Sequence, residues 1–190
     1  MSELKAATSV KRVFTCWQWF HLDGSRCHTP HDHCHRAHKP PVLAWQDESG
    51  NLVVTVGRNA LLDNTFNAAA GSVAWYVGLV DNAGYSSFAA ADTMGSHAGW
   101  AESVAYSNAT RPAWTKNAAA SSGAMSNSSS KAVFTINGSA TLKGAFLTSD
   151  SAKSGTDGTL FGVGAFSEGN RSVVSGDTVN GQVDISITAA

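Results

Sequence analysis

The chain has 190 residues, with 13 lysines and arginines, 14 aspartates and glutamates, and a formal net charge of −1. This length fits one domain of ordinary size. Such a charge excludes a protein built mainly to neutralise nucleic-acid phosphate. Only 14% of the residues are charged while 43% are hydrophobic, so the composition also excludes an intrinsically disordered chain.

The sequence contains no run of about 18 apolar residues, which excludes a membrane-spanning helix. Lys5, Lys11 and Arg12 are not followed by an apolar stretch of the length found in secretory signals. We therefore expect the chain to fold in a cytosol. In that compartment an odd number of cysteines, here three, indicates thiols or metal ligands rather than disulfides.

The first predicted element is an N-terminal segment, residues 1–41, which ends at Pro40-Pro41 because prolines donate no backbone hydrogen bond. Within it, residues 16–38 are called the Cys/His segment. They hold all three cysteines and six of the seven histidines of the chain. This density favours a metal site.

Zinc binds four Cys or His side chains in a tetrahedron. The predicted ligands are separated by ten, six and three residues, which resembles the spacing of a CCCH zinc finger; they are Cys16, Cys27, Cys34 and His38. Other histidines also have ligand spacing, so the alternates stay open: His21, His28, His31, His33 and His35. A segment this short cannot build its own core, so we expect a structural zinc ion that supplies folding energy. The alternative interpretation is a solvated, pH-sensitive histidine patch with buried, apolar cysteines.

Residues 42–190 predict an all-β domain, a jelly-roll-like sandwich with one short helix. Apolar runs at 42–47 and 52–56 flank a turn-forming stretch and indicate a hairpin, and the helix is predicted at 57–66. The other predicted strands are 75–80, 104–108, 112–116, 132–136, 140–148, 159–166, 172–175 and 178–188. Residues 84–99 and 117–130 are predicted to be loops, the first of them anchored to the core by Phe88, Met94 and Trp100.

Asp92, Ser96 and His97 contain the residue types of a catalytic triad. Triads are defined by geometry, and no strand-turn-helix elbow surrounds Ser96. We expect a surface loop that His97 fixes through a hydrogen bond. The sequence predicts no catalytic residue and no bound organic cofactor, and we do not expect an enzyme.

Three stretches, 75–84, 144–149 and 175–179, follow the segment Thr55 to Asp63 in an order that resembles small virion proteins of tailed bacteriophages. The resemblance covers about residues 42–190. It implies a β-rich structural protein of the virion, assembled in the host cytoplasm, either a capsid decoration (cement) protein or a tail or fibre component. The implied partners are the major capsid protein or other virion proteins and further copies of this chain, with no enzymatic activity and no membrane.

A zinc-dependent nucleic-acid-binding module is the alternative from a different class of function. Six lysines and arginines lie in the first forty residues, which would favour contacts to phosphate. Glu3, Asp23 and Asp32 offset half of this charge. The sequence therefore disfavours nucleic acid as the partner.

Overall fold

A computed structural model describes residues 6–18, 20, 26, 40–49, 52–66, 73–117 and 123–189. Its helix is α1 (Thr55–Phe66). Its strands are β1 (Ala6–Gln18), β2 (Val42–Ser49), β3 (Leu52–Val53), β4 (Tyr76–Asp81), β5 (Ala101–Ser103), β6 (Ala124–Ser126), β7 (Ala132–Thr135), β8 (Ala140–Thr148), β9 (Leu160–Ala165), β10 (Arg171–Val173) and β11 (Thr178–Ala189).

The described strands form two antiparallel sheets. In the first sheet the order is β2-β1-β11, and β6 and β7 both pair with the remaining edge of β11. In the second sheet the order is β3-β9-β8-β4-β5, and β10 pairs with β8 beside β9. The predicted all-β class with one short helix is confirmed.

The main core lies between the two sheets. Phe14 of β1 and Val183 of β11 contribute to it from the first sheet, and Leu79 and Leu147 of β4 and β8 contribute from the second. Each of these side chains is at most 1% exposed. Alternate residues of a strand point to opposite faces of its sheet, so one face of each sheet supplies this core.

A second core covers the opposite face of the second sheet. Val80 and Phe146 alternate along their strands with residues of the main core, and together with Val163 they pack against Met94 and Trp100 from the long connection between β4 and β5. Strands that are buried on both faces are apolar at almost every position, as β9 is throughout and β8 is over residues 144–147. The predicted anchoring of this connection by Met94 and Trp100 is confirmed, and Phe88 packs against the same cluster.

The helix α1 confirms the prediction at 57–66 and begins two residues earlier. It packs against β9. At Gly57 the helix lies so close to the main chain of Phe161 that a Cβ would clash with the Phe161 carbonyl group. A glycine is required there because only a residue without a Cβ allows this approach.

The first sheet begins upstream of the predicted boundary at residue 41. β1 lies between β2 and β11 and pairs with β11 from Ala6–Ala189 to Trp17–Thr178. Residues 6–18 therefore belong to the same body as the described residues between 42 and 189, and the two together are called the β body. The boundary was placed too late because β1 forms by pairing with the other end of the chain, and a local sequence pattern contains no information about such a distant partner.

Four local predictions are also corrected. The hairpin over 42–56 does not form, because β2 pairs with β1 in the first sheet and β3 pairs with β9 in the second. The predicted loop 117–130 contains the strand β6. The predicted strands 104–108 and 112–116 reduce to isolated bridges, Tyr106 with Ile136 and Ala113 with Tyr76.

Candidate metal centre and buried charge clusters

Cys16 is the one predicted zinc ligand that falls among the described residues. The other predicted ligands and alternates lie outside them: Cys27, Cys34, His38, His21, His28, His31, His33 and His35. Within the part of the chain that the structure describes, no three His, Cys, Asp or Glu side chains are grouped so as to hold a metal ion.

Cys16 lies in β1 opposite Val179 of β11 and Trp45 of β2. Its side chain is fully buried in the main core. Burial raises the pKa of the Cys16 thiol to about 12, the carboxylate of Asp177 acts in the same direction, and the positive charge of Arg26 opposes both. This environment keeps the thiol protonated at neutral pH, whereas zinc binds the thiolate. The surroundings of Cys16 therefore favour its role as a small apolar side chain of the core.

Arg26 connects the Cys/His segment to the β body. Its Nη2 donates to Oδ1 of Asp177 at 2.7 Å, and the Asp177 side chain is only 2% exposed. The second carboxylate oxygen of Asp177 accepts from the amide of Val174. Asp177 thus holds both Arg26, which directly precedes Cys27, and the turn before β11 in place.

A second cluster is centred on Arg111, whose side chain is completely buried. Nε and Nη2 donate to the two carboxylate oxygens of Glu102 at 3.0 and 2.9 Å. Nη1 donates to the carbonyl oxygen and to Oδ2 of Asp150, and Nη2 also donates to the carbonyl oxygen of Gly155. A guanidinium group has five N–H groups, and five acceptors are present.

The Arg111 cluster determines the shape of the connection between β8 and β9. The Ser154 amide in this connection donates to Oε2 of Glu102 at 2.7 Å. Ser154 has a φ of 57°, the left-handed region that residues other than glycine adopt rarely. The hydrogen bond to Glu102 stabilises that conformation, so β5 and the connection after β8 form one rigid unit.

A third cluster surrounds Asp47 of β2, whose side chain is 1% exposed. Its carboxylate accepts from the Ser167 hydroxyl at 2.8 Å, from Nε of Arg171 at 2.8 Å and from the amides of Glu48 and Glu168. Burial acts to raise the pKa of Asp47, but the hydrogen bonds from Ser167, Arg171 and the Glu48 amide outweigh it and hold that pKa below its usual range. Asp47 thereby joins the first sheet to the turn before β10.

Asp92 and His97 of the apparent triad both bond to Trp100 of the same connection. Oδ2 of Asp92 accepts from the indole Nε1–H of Trp100 and from the amide of Ala89. The imidazole Nδ1 of His97 is 2.9 Å from the carbonyl oxygen of Trp100, and the two rings are stacked 4.0 Å apart. The prediction that His97 fixes the loop is confirmed.

Sequence reasoning did not find Arg111, Asp47 or Asp177. Asp47 pairs with Arg171 and Asp177 pairs with Arg26, in both cases far along the chain. Arg111 pairs with Glu102, nine residues away, and with the more distant Asp150. A charged residue within an apolar stretch was the available signal, since a buried charge requires a partner. In all three clusters carboxylates neutralise an arginine and fix loops against the sheets.

No protein-family model matches the chain, and no curated protein matches it. Of the helices in the described ranges, none has the length and apolar character needed to cross a membrane.

Proposed function

We propose that this protein is a structural component of a virus particle, a capsid decoration protein that strengthens the head through protein-protein contacts. Its body is a jelly-roll-like sandwich, and copies of the chain associate where capsomers meet. The observation that carries the proposal is the fixation of two long surface connections, 82–100 and 149–159, by buried charge and aromatic contacts.

These connections present small side chains at a rigid surface. Ten exposed residues of the first are alanine, glycine or serine: Ala83, Gly84, Ser86, Ser87, Ala89, Ala90, Ala91, Gly95, Ser96 and Ala98. Small side chains lose little rotamer entropy when a partner covers them, and a fixed loop loses little backbone entropy. Such a surface suits a specific interface, for which about 1,000 Å² or more must be buried.

The expected result for purified particles is a copy number on the order of hundreds, because capsomer junctions recur by symmetry. Quantitative mass spectrometry against the major capsid protein measures it. A few copies per particle would instead indicate the tail or fibre role. Absence from particles would contradict both virion roles, and DNA binding that weakens steeply with salt would then support the nucleic-acid-binding module.

The Cys/His segment is proposed to bind one structural zinc ion through Cys27, Cys34 and His38. The fourth ligand is Cys16 or another histidine of the segment. The buried thiol of Cys16 favours a histidine, because a core cysteine with a raised pKa is a poor source of thiolate.

Elemental analysis of untagged protein is expected to find about one zinc per chain. Cys27→Ser and Cys34→Ser should each lose the metal, because each removes a thiolate ligand, whereas Cys16→Ala should retain it. Full zinc occupancy in both serine variants would contradict the site. Loss of zinc in Cys16→Ala, with the β body still folded, would make Cys16 the fourth ligand.

A further inference from the structure

An apolar cavity opens between the helix α1, the strand β6 and the inner faces of the two sheets. Its volume is about 230 Å³. Two tryptophans, a methionine and three other large apolar side chains line it: Trp75, Trp114, Met125, Leu147, Phe161 and Ile185. The lining is completed by Leu61 and Asn64 of α1, by Ala124 of β6 and by the preceding Gly123.

The aromatic lining is held in place by bonds that do not involve the cavity itself. The indole Nε1 of Trp114 donates to the carbonyl oxygen of Val183 at 3.0 Å, and the Trp114 amide donates to the carbonyl oxygen of Trp75 at 2.7 Å. The ring of Trp75 packs edge-on against Phe161 with centroids 5.5 Å apart. The two tryptophans therefore keep their positions when the cavity is empty, which lowers the cost of binding.

The size and chemistry of the cavity define its ligand. A cavity of about 150 Å³ lined by leucine, isoleucine and phenylalanine binds benzene, whereas pockets for drug-sized molecules start at about 300 Å³. The volume of about 230 Å³ lies between these values. The Trp114 indole N–H already has an acceptor. Among the described residues that line the cavity none is charged, and the one polar side chain, Asn64, is exposed.

We propose that this cavity is a binding site for one uncharged aromatic group of one or two fused rings. Aromatic rings pack favourably edge-on or offset against other aromatic rings, and the lining supplies three of them, Trp75, Trp114 and Phe161. The group is either a free small molecule or an aromatic side chain of a partner protein. The inference does not depend on the proposed virion role.

Indole is the probe for the test, with ¹⁵N-labelled full-length protein observed by NMR. The side-chain N–H signals of Trp75 and Trp114 are expected to shift saturably, with a dissociation constant of about 1 mM or lower. Trp100 is the internal control, because it is buried in the second core and bonded to Asp92. No saturable shift up to the solubility of indole, or an equal shift of the Trp100 signal, would overturn the proposal.

Substitutions in the lining test whether indole binds in this cavity. Ala124→Leu fills the space and is expected to weaken indole binding at least tenfold, whereas Ala44→Leu, at an exposed position of β2 outside the lining, is expected to leave it unchanged. If Ala124→Leu does not fold, Asn64→Phe at the exposed rim covers the entrance without a change in the core. Unchanged binding in a folded filling variant would overturn the assignment.

A second arm of the experiment separates the two sources of the aromatic group. The blocked tripeptide Gly-Trp-Gly presents the same ring on a main chain. If the peptide binds more tightly than indole, the site is supported and its occupant is an aromatic side chain of a partner protein. If indole binds more tightly, the site is supported and its occupant is a free small molecule. If neither probe binds, the proposal fails.

Discussion

Arg111→Met is expected to lower the free energy of unfolding by about 3–5 kcal/mol, the usual cost of removing one partner of a buried ion pair. Arg111 is completely buried, and its loss leaves the carboxylate of Glu102, which is 6% exposed, without its bidentate partner. The carbonyl oxygens of Asp150 and Gly155 also lose their donor. Urea unfolding followed by tryptophan fluorescence measures the change.

Arg58→Met is the matched control. Arg58 is exposed on α1 and donates one hydrogen bond to Thr55 at 3.2 Å, so we expect a change within about 0.5 kcal/mol. Arg111→Lys should recover only part of the loss, because an ammonium group keeps the charge but cannot make the paired bonds to Glu102. A cost of Arg111→Met as small as that of Arg58→Met would show that the cluster does not stabilise the fold.

A double variant separates the buried charge from the packing. When Arg111→Met is combined with Glu102→Met, no carboxylate is left unpaired at position 102. We expect the double variant to unfold at a higher urea concentration than Arg111→Met alone, because an unpaired buried charge costs more than a lost pair. An additive further loss would contradict this explanation.

Local sequence patterns predicted the second sheet better than the first. The strand prediction at 140–148 coincides with β8, and the prediction at 159–166 exceeds β9 by one residue at each end. In the first sheet, the prediction at 178–188 is one residue shorter than β11. Long apolar or alternating runs mark such strands because their side chains meet a core along their whole length. In contrast, β1 was missed. Its partner β11 is at the other end of the chain, and the cysteines and histidines that follow suggested a separate segment.

The segment 104–108 shows how a correct pattern leads to a wrong element. Tyr106 is buried and lies opposite Ile136, as a strand prediction requires. At Asn108, however, the side chain replaces the main chain, since its amide group donates to the carbonyl oxygen of Val133 and its carbonyl accepts from the amide of Thr135. The composition of residues 104–108 cannot show whether the pairing with β7 is made by main-chain groups, as in a strand, or by the side chain of Asn108.

Asn127 illustrates the same limit in the predicted loop 117–130. Its side chain is fully buried and bonds to β11 between β6 and β7, accepting from the Val183 amide at 2.7 Å and donating to the carbonyl oxygen of Gly181 at 3.2 Å. An asparagine among serines is typical of an exposed loop. Here the side-chain amide of Asn127 bonds to the main chain of β11 in the gap between β6 and β7, where no strand residue does so. This role depends on the position of β11, which the local sequence does not reveal.

Asp47→Asn is expected to lower the free energy of unfolding at pH 7 by about 1.5–3 kcal/mol, the usual contribution of a hydrogen bond to a charged group. The variant keeps the size of the side chain but removes the negative charge that faces Arg171. The other groups around it are the Ser167 hydroxyl, the amides of Glu48 and Glu168, and the Glu168 carboxylate, which accepts from Arg171 at 2.8 Å.

This difference between wild type and Asp47→Asn should depend on pH. The pKa of Asp47 in the folded protein is below its usual range, whereas in the unfolded chain it is about 3.9. The unfolded state therefore binds the proton first, so the stabilisation is complete above about pH 4 and decreases as the pH falls towards the folded pKa. Urea unfolding of both proteins at pH 7, 5, 4 and 3 is expected to give equal differences at the two higher values and a smaller one at pH 3.

The control for this measurement is Asp157→Ser, which removes an exposed carboxylate from the connection between β8 and β9. We expect its stability to stay within about 0.5 kcal/mol of the wild type at every pH. If Asp47→Asn kept a constant difference down to pH 3, the Asp47 carboxylate would have the same pKa in both states. The hydrogen bonds from Ser167 and Arg171 would then contribute nothing specific to its charge, and the joint between the first sheet and the turn before β10 would depend on packing alone.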